Sequence, residues 1–392
     1  MLQVVKKYMT YINRPIIIIY VIFFLYFVVE ESLGIVVPLF FDERNISIVL
    51  YGILLSFTKM ARAIVVIPIS LKPVESKMKC LKITLFFDMI VFVVLIYTKS
   101  PIVTFIGFSI LFITTSIINV ILNPLLGTKA DKNHIGIIFG IRDAFLYAGC
   151  FLGLLIIGII KTMSTNTNLV WIFYSCIFVL VLFSVCSLEK EIVDKEECCL
   201  RKSNKQEDKV TIKGTSKELI FFCSILFVLG IGGACVNFVP LVAADVGVKV
   251  SNIFYVFSTS TFISSLLSIT GGITLDKFNK KLLFQVDIVL LLLLLIMYSS
   301  GNSWILTIAI IISGISSVFD NASNIYVFAN YSEDEVNCFW GIIGSVNLIS
   351  FSIGTFLCGM LYEINFKFVF LFGILLNIVG LTMSLKLKNI EK

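Results

Sequence analysis

Charge is what this chain has least of. Asp, Glu, Lys and Arg make up 14% of its 392 residues, whereas a water-covered domain carries roughly 25%. One very large soluble core is excluded by pattern, because the apolar residues fall in runs of about 18–25. Each run is long enough to cross about 30 Å of hydrocarbon, and the mean hydropathy is +1.02. Histidine occurs once, as His134, which leaves no spacing suited to a zinc site. The ten cysteines form no disulfide framework. Most lie inside apolar runs (Cys150, Cys176, Cys186, Cys223, Cys235, Cys358), where a thiol behaves as a small hydrophobe. Cys198 and Cys199 are adjacent in a charged stretch and read as part of a spacer. No glycine loop of the phosphate-cradling kind is present, so ATP is not expected as the energy source. The net charge of +6 is spread over the segments between apolar runs, which gives no reason to expect nucleic acid as a partner. The first apolar run is too long, and lacks the small-residue site, to be a cleaved signal peptide.

What is there is a series of twelve such runs, at about 15–40, 47–70, 81–98, 102–126, 137–160 and 168–188, then 218–243, 250–273, 282–299, 303–328, 338–361 and 367–385. Backbone polar groups in hydrocarbon must be satisfied within their own segment, so these are helices. With both termini on one side, 23 of the 31 Lys and Arg residues fall on that side and five (Arg44, Lys99, Lys161, Lys249, Lys367) on the other. Positive charge marks the cytoplasmic face, so both termini are expected there. Between Glu189 and Glu218 eight basic and eight acidic residues replace any apolar run, as in a solvated linker. The expected organisation is therefore an N-terminal six-helix bundle over 1–188, a charged cytoplasmic linker over 189–217 and a C-terminal six-helix bundle over 218–392.

The two bundles repeat each other at an offset near 200. Pro38 matches Pro240; Lys82 and Asp88 match Lys281 and Asp287; Asn119 and Asn123 match Asp320 and Asn324; Gly140 and Gly153 match Gly341 and Gly354. Six spans and a linker return the second copy in the same orientation, so the halves are parallel repeats about an axis along the membrane normal. The fold class expected is an all-α membrane protein with twelve transmembrane helices in two parallel-related six-helix bundles.

The segment after span 8, Gly272-Ile273-Thr274-Leu275-Asp276-Lys277-Phe278-Asn279-Lys280-Lys281, resembles the cytoplasmic G-x-x-x-D-[RK]-x-G-[RK]-[RK] signature of the major facilitator superfamily. Gly272, Asp276, Lys277, Lys280 and Lys281 are its candidate residues for conformational control. Asn279 stands where the family has a second glycine and tolerates left-handed backbone. After span 2 the corresponding stretch, Ser70 to Lys79, lacks the glycine and carries its acid one position away, at Glu75. The arginine that many antiporters carry in span 4 and the glycine-proline motif of drug antiporters in span 5 are absent. The resemblance implies that spans 1, 4, 7 and 10 line a central cavity, with spans 2, 5, 8 and 11 beside them.

Ionisable residues at membrane depth are costly and mark function or pairing. Here they are Glu30 and Glu31 in span 1, Lys59 and Arg62 in span 2, Arg142 and Asp143 in span 5 and Asp320 in span 10. Consecutive helical positions are about 100° apart, so at most one of the two glutamates points squarely into a cavity. Glu31 shares a face with Tyr20, Phe24, Phe27, Gly34 and Pro38, and the repeat sets Gly232 and Gly233 opposite the pair. Either the acids carry a proton or engage substrate, or they are permanently paired with Lys59 or Arg62. The latter two lie one turn apart on one face, with polar repeat mates Thr261 and Ser264. Asn119, Asn123, Asn237 and Asn324 complete the polar candidates for the substrate or coupling site. Arg142, Asp143 and Asp320 are candidates for a cytoplasmic gate. Arg142 meets Asp320 across it, or stays within its own half with Asp143 or Asn123. Asp88 and Asp287 are expected to partner the loop lysines.

The functional expectation is a secondary active transporter of the major facilitator type, working by alternating access. Its first form is proton-coupled export of a small amphipathic or drug-like molecule. Import of a small organic nutrient or anion is the alternative, and a membrane receptor or intramembrane enzyme is the alternative of another class. No cofactor, metal or catalytic residue is expected. The partners are a small-molecule substrate, protons and the lipid bilayer, with no nucleic acid, and the chain is expected to be monomeric. Heavy use of Ile, Phe, Lys and Asn suggests an AT-rich genome, hence a bacterial cytoplasmic membrane.

Overall fold

A computed structural model of the protein describes residues 14–43, 46–70, 74–98, 100–129, 135–164, 168–199, 217–319 and 333–387. Over the described residues every apolar run is helix. In chain order these are α1 (Arg14–Glu43), α2 (Ile48–Ser70), α3 (Val74–Tyr97), α4 (Pro101–Lys129), α5 (Ile135–Met163) and α6 (Asn168–Cys199). The second set is α7 (Lys217–Asp245), α8 (Val250–Lys277), α9 (Lys280–Tyr298), α10 (Ser303–Ser316), α11 (Glu333–Ile364) and α12 (Phe366–Ser384). Eleven of them are long and apolar enough to cross a membrane. The other, α10, continues as a 3-10 turn over Ser317–Phe319, and the rest of its apolar run lies outside the described residues. The side carrying Arg14, Cys199 and Lys217 is called the linker side below, and the opposite one the far side.

Two helices depart from the apolar runs. α6 continues beyond its run, through charged residues to Cys199. α7 is not one continuous α-helix: Lys217–Gly233 gives way to a 3-10 segment, Ala234–Phe238, before helix resumes over Val239–Asp245. Pro240 has no N–H to give the carbonyl of Val236, which instead accepts from the N–H of Val239. Its repeat mate Pro38 sits inside an unbroken α1.

The outer faces are apolar, with Phe57, Ile64, Phe86, Phe87, Phe183 and Leu375 more than half exposed, as lipid-facing positions should be. Within each half, small residues bring helices together. A Cβ at Gly149 or Gly153 of α5 would run into the carbonyl oxygens of Phe24 and Val28 of α1. At Gly354 of α11 it would stand 2.5 Å from the carbonyl oxygen of Ile231 in α7. Repeat-related glycines thus make the same approach in both halves.

Two packed pairs, α5 with α8 and α2 with α11, dominate the contact between halves, and the repeat exchanges one pair for the other. Bonds across them include Ser47 Oγ to Glu363 Oε1 (2.7 Å), Ser56 with Ser352 (3.0 Å), Thr162 Oγ1 with Tyr255 Oη (3.1 Å), Ser258 Oγ to the Phe151 carbonyl (3.2 Å) and Ser265 Oγ to the Ala144 carbonyl (2.8 Å), and Tyr51 Oη of α2 reaches the Asn237 carbonyl of α7 (3.4 Å). Among the described residues these run from the far side to mid-depth and no further. Buried apolar residues divide the same way. One cluster runs through the N-terminal half and into the far-side part of the C-terminal half. A second, built on Leu219, Phe222, Phe284, Ile288 and Leu387, belongs to the linker side of the C-terminal half alone.

Candidate functional site

At mid-depth the halves line a cavity of about 210 Å³. Helix α1 gives it Glu30, Glu31, Gly34 and Ile35, and α2 gives Tyr51, Leu55, Thr58, Lys59 and Arg62, at the three- and four-residue spacings of one helical face. Phe112 comes from α4. Of the described residues, the C-terminal half contributes Val236, Asn237, Pro240 and Phe257, a neutral wall. Among the described lining residues all four charged ones therefore come from one half. Toward the far side, ring contacts link Phe41, Tyr51, Phe238 and Tyr362, with successive centroids 6.0, 5.7 and 5.6 Å apart. Tyr362 donates a hydrogen bond to Asp245 (2.6 Å).

The acids and bases share the cavity without touching. Among the described residues no ion pair within 4.0 Å joins Glu30 or Glu31 to Lys59 or Arg62. Glu30 faces Thr115. Arg62 donates Nε–H to the Phe112 carbonyl and lies over the Phe112 ring (5.8 Å to the centroid). Lys59 reaches into the other half, its Nζ 4.7 Å from the centroid of Phe351 in α11. Cation–ring contact of this kind strengthens once water is removed. The permanent Glu–Lys or Glu–Arg pair that the sequence left open is not formed.

A polar ladder leads from this cavity toward the linker side. Tyr26 Oη and Thr115 Oγ1 are 2.9 Å apart. Asn119 donates to the Thr115 carbonyl (3.1 Å), and Asn123 donates to Asn119 Oδ1 (3.4 Å). Thr115, Asn119 and Asn123 recur every fourth residue, a single row on α4. At its end Arg142 donates Nη1–H to Asn123 Oδ1 (2.8 Å) and Nε–H to Asp143 Oδ1 (2.8 Å). It also lies over the rings of Phe139 and Phe23. Arg142, Asp143, Asn119 and Asn123 thus form one network of the N-terminal half, off the cavity. Asp320, the expected partner across the gate, and Asn324 lie outside the described residues.

Other expectations change. Gly232 and Gly233 do not face the glutamates: they pack against Asn377 and Leu376 of α12 and Phe351 of α11, and the 3-10 turn presents Val236 and Asn237 instead. Thr261 and Ser264 bond carbonyls of α8 and, at Gly314, of α10, not the cavity. Asp88 is fully buried and is bonded by Thr114 (3.0 Å), not by a lysine. Lys82 pairs with Glu189 of α6 (2.6 Å), and Lys281 donates to the Leu385 and Leu387 carbonyls at the end of α12 (2.9 and 2.6 Å). These repeat mates each tie the third helix of a half to its sixth. Asn279 is not left-handed. Its φ of −61° is ordinary, and its side chain caps α9 by accepting from the N–H of Lys281 (3.0 Å) and Leu282 (3.4 Å), a common N-cap geometry. Gly272, Asp276 and Lys277 fall in the last turns of α8 and Lys280 opens α9; the side chains of Asp276 and Lys277 are not described. Sequence reading missed Thr58, Thr115 and Phe351. Thr58 shares the α2 face of Arg62 and was legible there; nothing in the sequence points to Phe351.

Residues 220–391, somewhat under half of the chain, match the family model of the Major Facilitator Superfamily. By sequence, no curated protein matches the chain. The fold is shared with the nucleoside transporter NupG, at a TM-score of 0.67 and 13% identity over 95% of this chain and 98% of that one. A single-substitution mutant of the same transporter gives 0.71 and 15% over 94% and 100%. FucP, a Major Facilitator Superfamily transporter in an outward conformation, gives 0.64 and 14% over 96% and 99%.

Proposed function

We infer that this chain, a member of the major facilitator superfamily by the sequence of its C-terminal half and by the fold of its whole length, is a secondary active transporter whose substrate occupies the Glu30–Arg62 cavity. It is a multi-pass membrane protein and a transporter, not an enzyme. The observation that carries the site assignment is the set of four charged side chains lining one cavity between the halves without pairing with one another. Charges held in that way respond to whatever enters, and a ligand shifts a two-state equilibrium only through its differential contacts with the two states.

On this reading the linker side faces the cytoplasm, as the distribution of Lys and Arg favours. The described state is then closed outward by the Phe41–Tyr51–Phe238–Tyr362 stack. Glu30 and Glu31 carry the coupling proton, since a carboxylate on a cavity wall can exchange protons when one side opens. Export is the direction taken from the aromatic residues around the α1 acids. A second reading, import of a small organic solute, is favoured by the cavity volume of about 210 Å³, below the roughly 300–1,000 Å³ of drug-sized ligand sites. NupG, of like fold, is a nucleoside transporter.

The test is reconstitution in liposomes with an imposed pH gradient. Solute accumulation should follow the gradient in the wild type and lose that dependence in Glu30→Gln, Glu31→Gln or the double variant. Gradient-driven transport at wild-type rates in all three would remove these acids from the coupling. The sign of the gradient that drives accumulation decides between export and import.

A further inference from the structure

The charges of the cavity are sorted by sign. Glu30 and Glu31 are consecutive on α1, and Lys59 and Arg62 are one turn apart on α2. Each helix therefore sets like charges side by side, which is destabilising unless something of the opposite sign stands close. Among the described residues that need is met only in part. Glu30 has Thr115 beside it, and Arg62 has the Phe112 carbonyl and ring. Among the described residues Glu31 has no hydrogen-bond partner, and Lys59 has only the face of Phe351. The acceptor-only group and the donor-only group with the most unused capacity thus line the same small space, more than 4.0 Å apart. Around them stand Tyr51, Phe112 and Phe257, with Val236 and Pro240 of the neutral wall.

We propose that the substrate is a small zwitterion bearing an apolar or aromatic body. Its ammonium group sits against Glu31, its carboxylate against Lys59 and the terminal nitrogens of Arg62, and its body against the neutral wall. A singly charged molecule answers one helix and leaves the other pair of like charges uncompensated. A neutral one answers neither. A cavity of about 210 Å³ holds a solute of amino-acid size. This assignment rests on the cavity being the transport site and adds its chemical class.

The experiment uses the purified full-length protein in lipid nanodiscs and a panel of natural α-amino acids. Each is matched with its amide, which keeps the ammonium alone, and its des-amino acid, which keeps the carboxylate alone. At least one amino acid should bind, read by thermal shift and by calorimetry, and its two counterparts should bind about 10- to 100-fold more weakly, the value of a hydrogen bond to a charged group. Glu31→Gln should erase the preference for the amino acid over its des-amino counterpart. Lys59→Met should erase the preference over the amide. Unliganded melting curves show that each variant is folded, and a variant that is not folded is replaced by Glu31→Asp or Lys59→Arg, in which the preference should persist. Binding of no amino acid, equal or tighter binding of a singly charged counterpart, or preferences unchanged in both neutralised variants overturns the proposal. Transport that still depends on the pH gradient and on Glu30 and Glu31, with a substrate of another class, would overturn the zwitterion while leaving the transporter reading intact.

Discussion

Gly52 of α2 faces α11 across the boundary between the halves. A Cβ at this position would stand 2.9 Å from Gly359 Cα and 3.0 Å from the Thr355 carbonyl oxygen. Both are backbone atoms, so no side chain can swing aside. Ordinary contact begins at 3.4 Å, and Gly52→Ala can reach it only if the helices part. Overpacking of this kind costs about 1–3 kcal/mol. Because α2 and α11 meet here in the far-side-closed state, the cost falls on that state. A tenfold change in population corresponds to about 1.4 kcal/mol, so the far-side-open fraction should rise about 5- to 150-fold. Gly354→Ala is the control of equal chemistry. Its Cβ would meet the Ile231 carbonyl at 2.5 Å and Ala234 Cβ at 2.6 Å, but both lie within the C-terminal half, so the cost should fall on the fold in every state. The assay is labelling of Thr58→Cys, on the cavity wall, by an impermeant maleimide added from the far side, with reactive native cysteines replaced. Gly52→Ala should accelerate labelling as well as lower the melting temperature, and Gly354→Ala should lower the melting temperature without accelerating labelling. If both variants lose melting temperature equally and neither changes labelling, the α2–α11 contact is static and the reasoning fails.

Further outcomes follow from other contacts. Cysteines at Ser56 and Ser352, whose hydroxyl oxygens are 3.0 Å apart, should form a disulfide on mild oxidation that stops transport and releases it on reduction; cross-linking that leaves transport intact would mean the halves do not part there. Thr114→Val removes the one hydrogen bond to fully buried Asp88 and should destabilise by about 1–3 kcal/mol, whereas Asp88→Asn keeps a partner for Thr114 and should melt close to wild type. Lys281→Met frees the Leu385 and Leu387 carbonyls at the end of α12 and should cost about 0.5–1.5 kcal/mol, seen as earlier hydrogen exchange in the last turn of α12. Gly34→Ala meets nothing within 4 Å, so its melting curve should match wild type while substrate affinity changes, because Gly34 lines the cavity.

The spans and the repeat were readable because hydrocarbon leaves the backbone one option, and that option is spelled by apolar length alone. The charges of the site were readable for the same reason: Glu30, Glu31, Lys59 and Arg62 stand out where charge is expensive. What they do with one another was not. Whether four side chains on two helices pair depends on how those helices are turned and spaced, which packing elsewhere in the bundle sets, as at Gly149 and Gly153 where α5 meets the backbone of α1. Pro38 and Pro240 show the same limit. An identical local signal leaves α1 unbroken and breaks α7, and the glycines upstream of Pro240 then face α11 and α12. Lys59 against Phe351 joins residues from opposite halves, a pairing that no periodicity within either half encodes.

Among the described residues the neutral and the charged parts of the cavity lining belong to different repeats, and on the zwitterion proposal this separates two things that selection can act on. Substitutions at Val236, Asn237, Pro240 or Phe257 would reshape the space available to a solute's body without disturbing the field that holds its ends. Changes at Glu31 or Lys59 would alter which ends are accepted while leaving the mould intact. A duplicated ancestor placing the same residues in both repeats would have linked these properties, so that each gain in fit came with a change in charge.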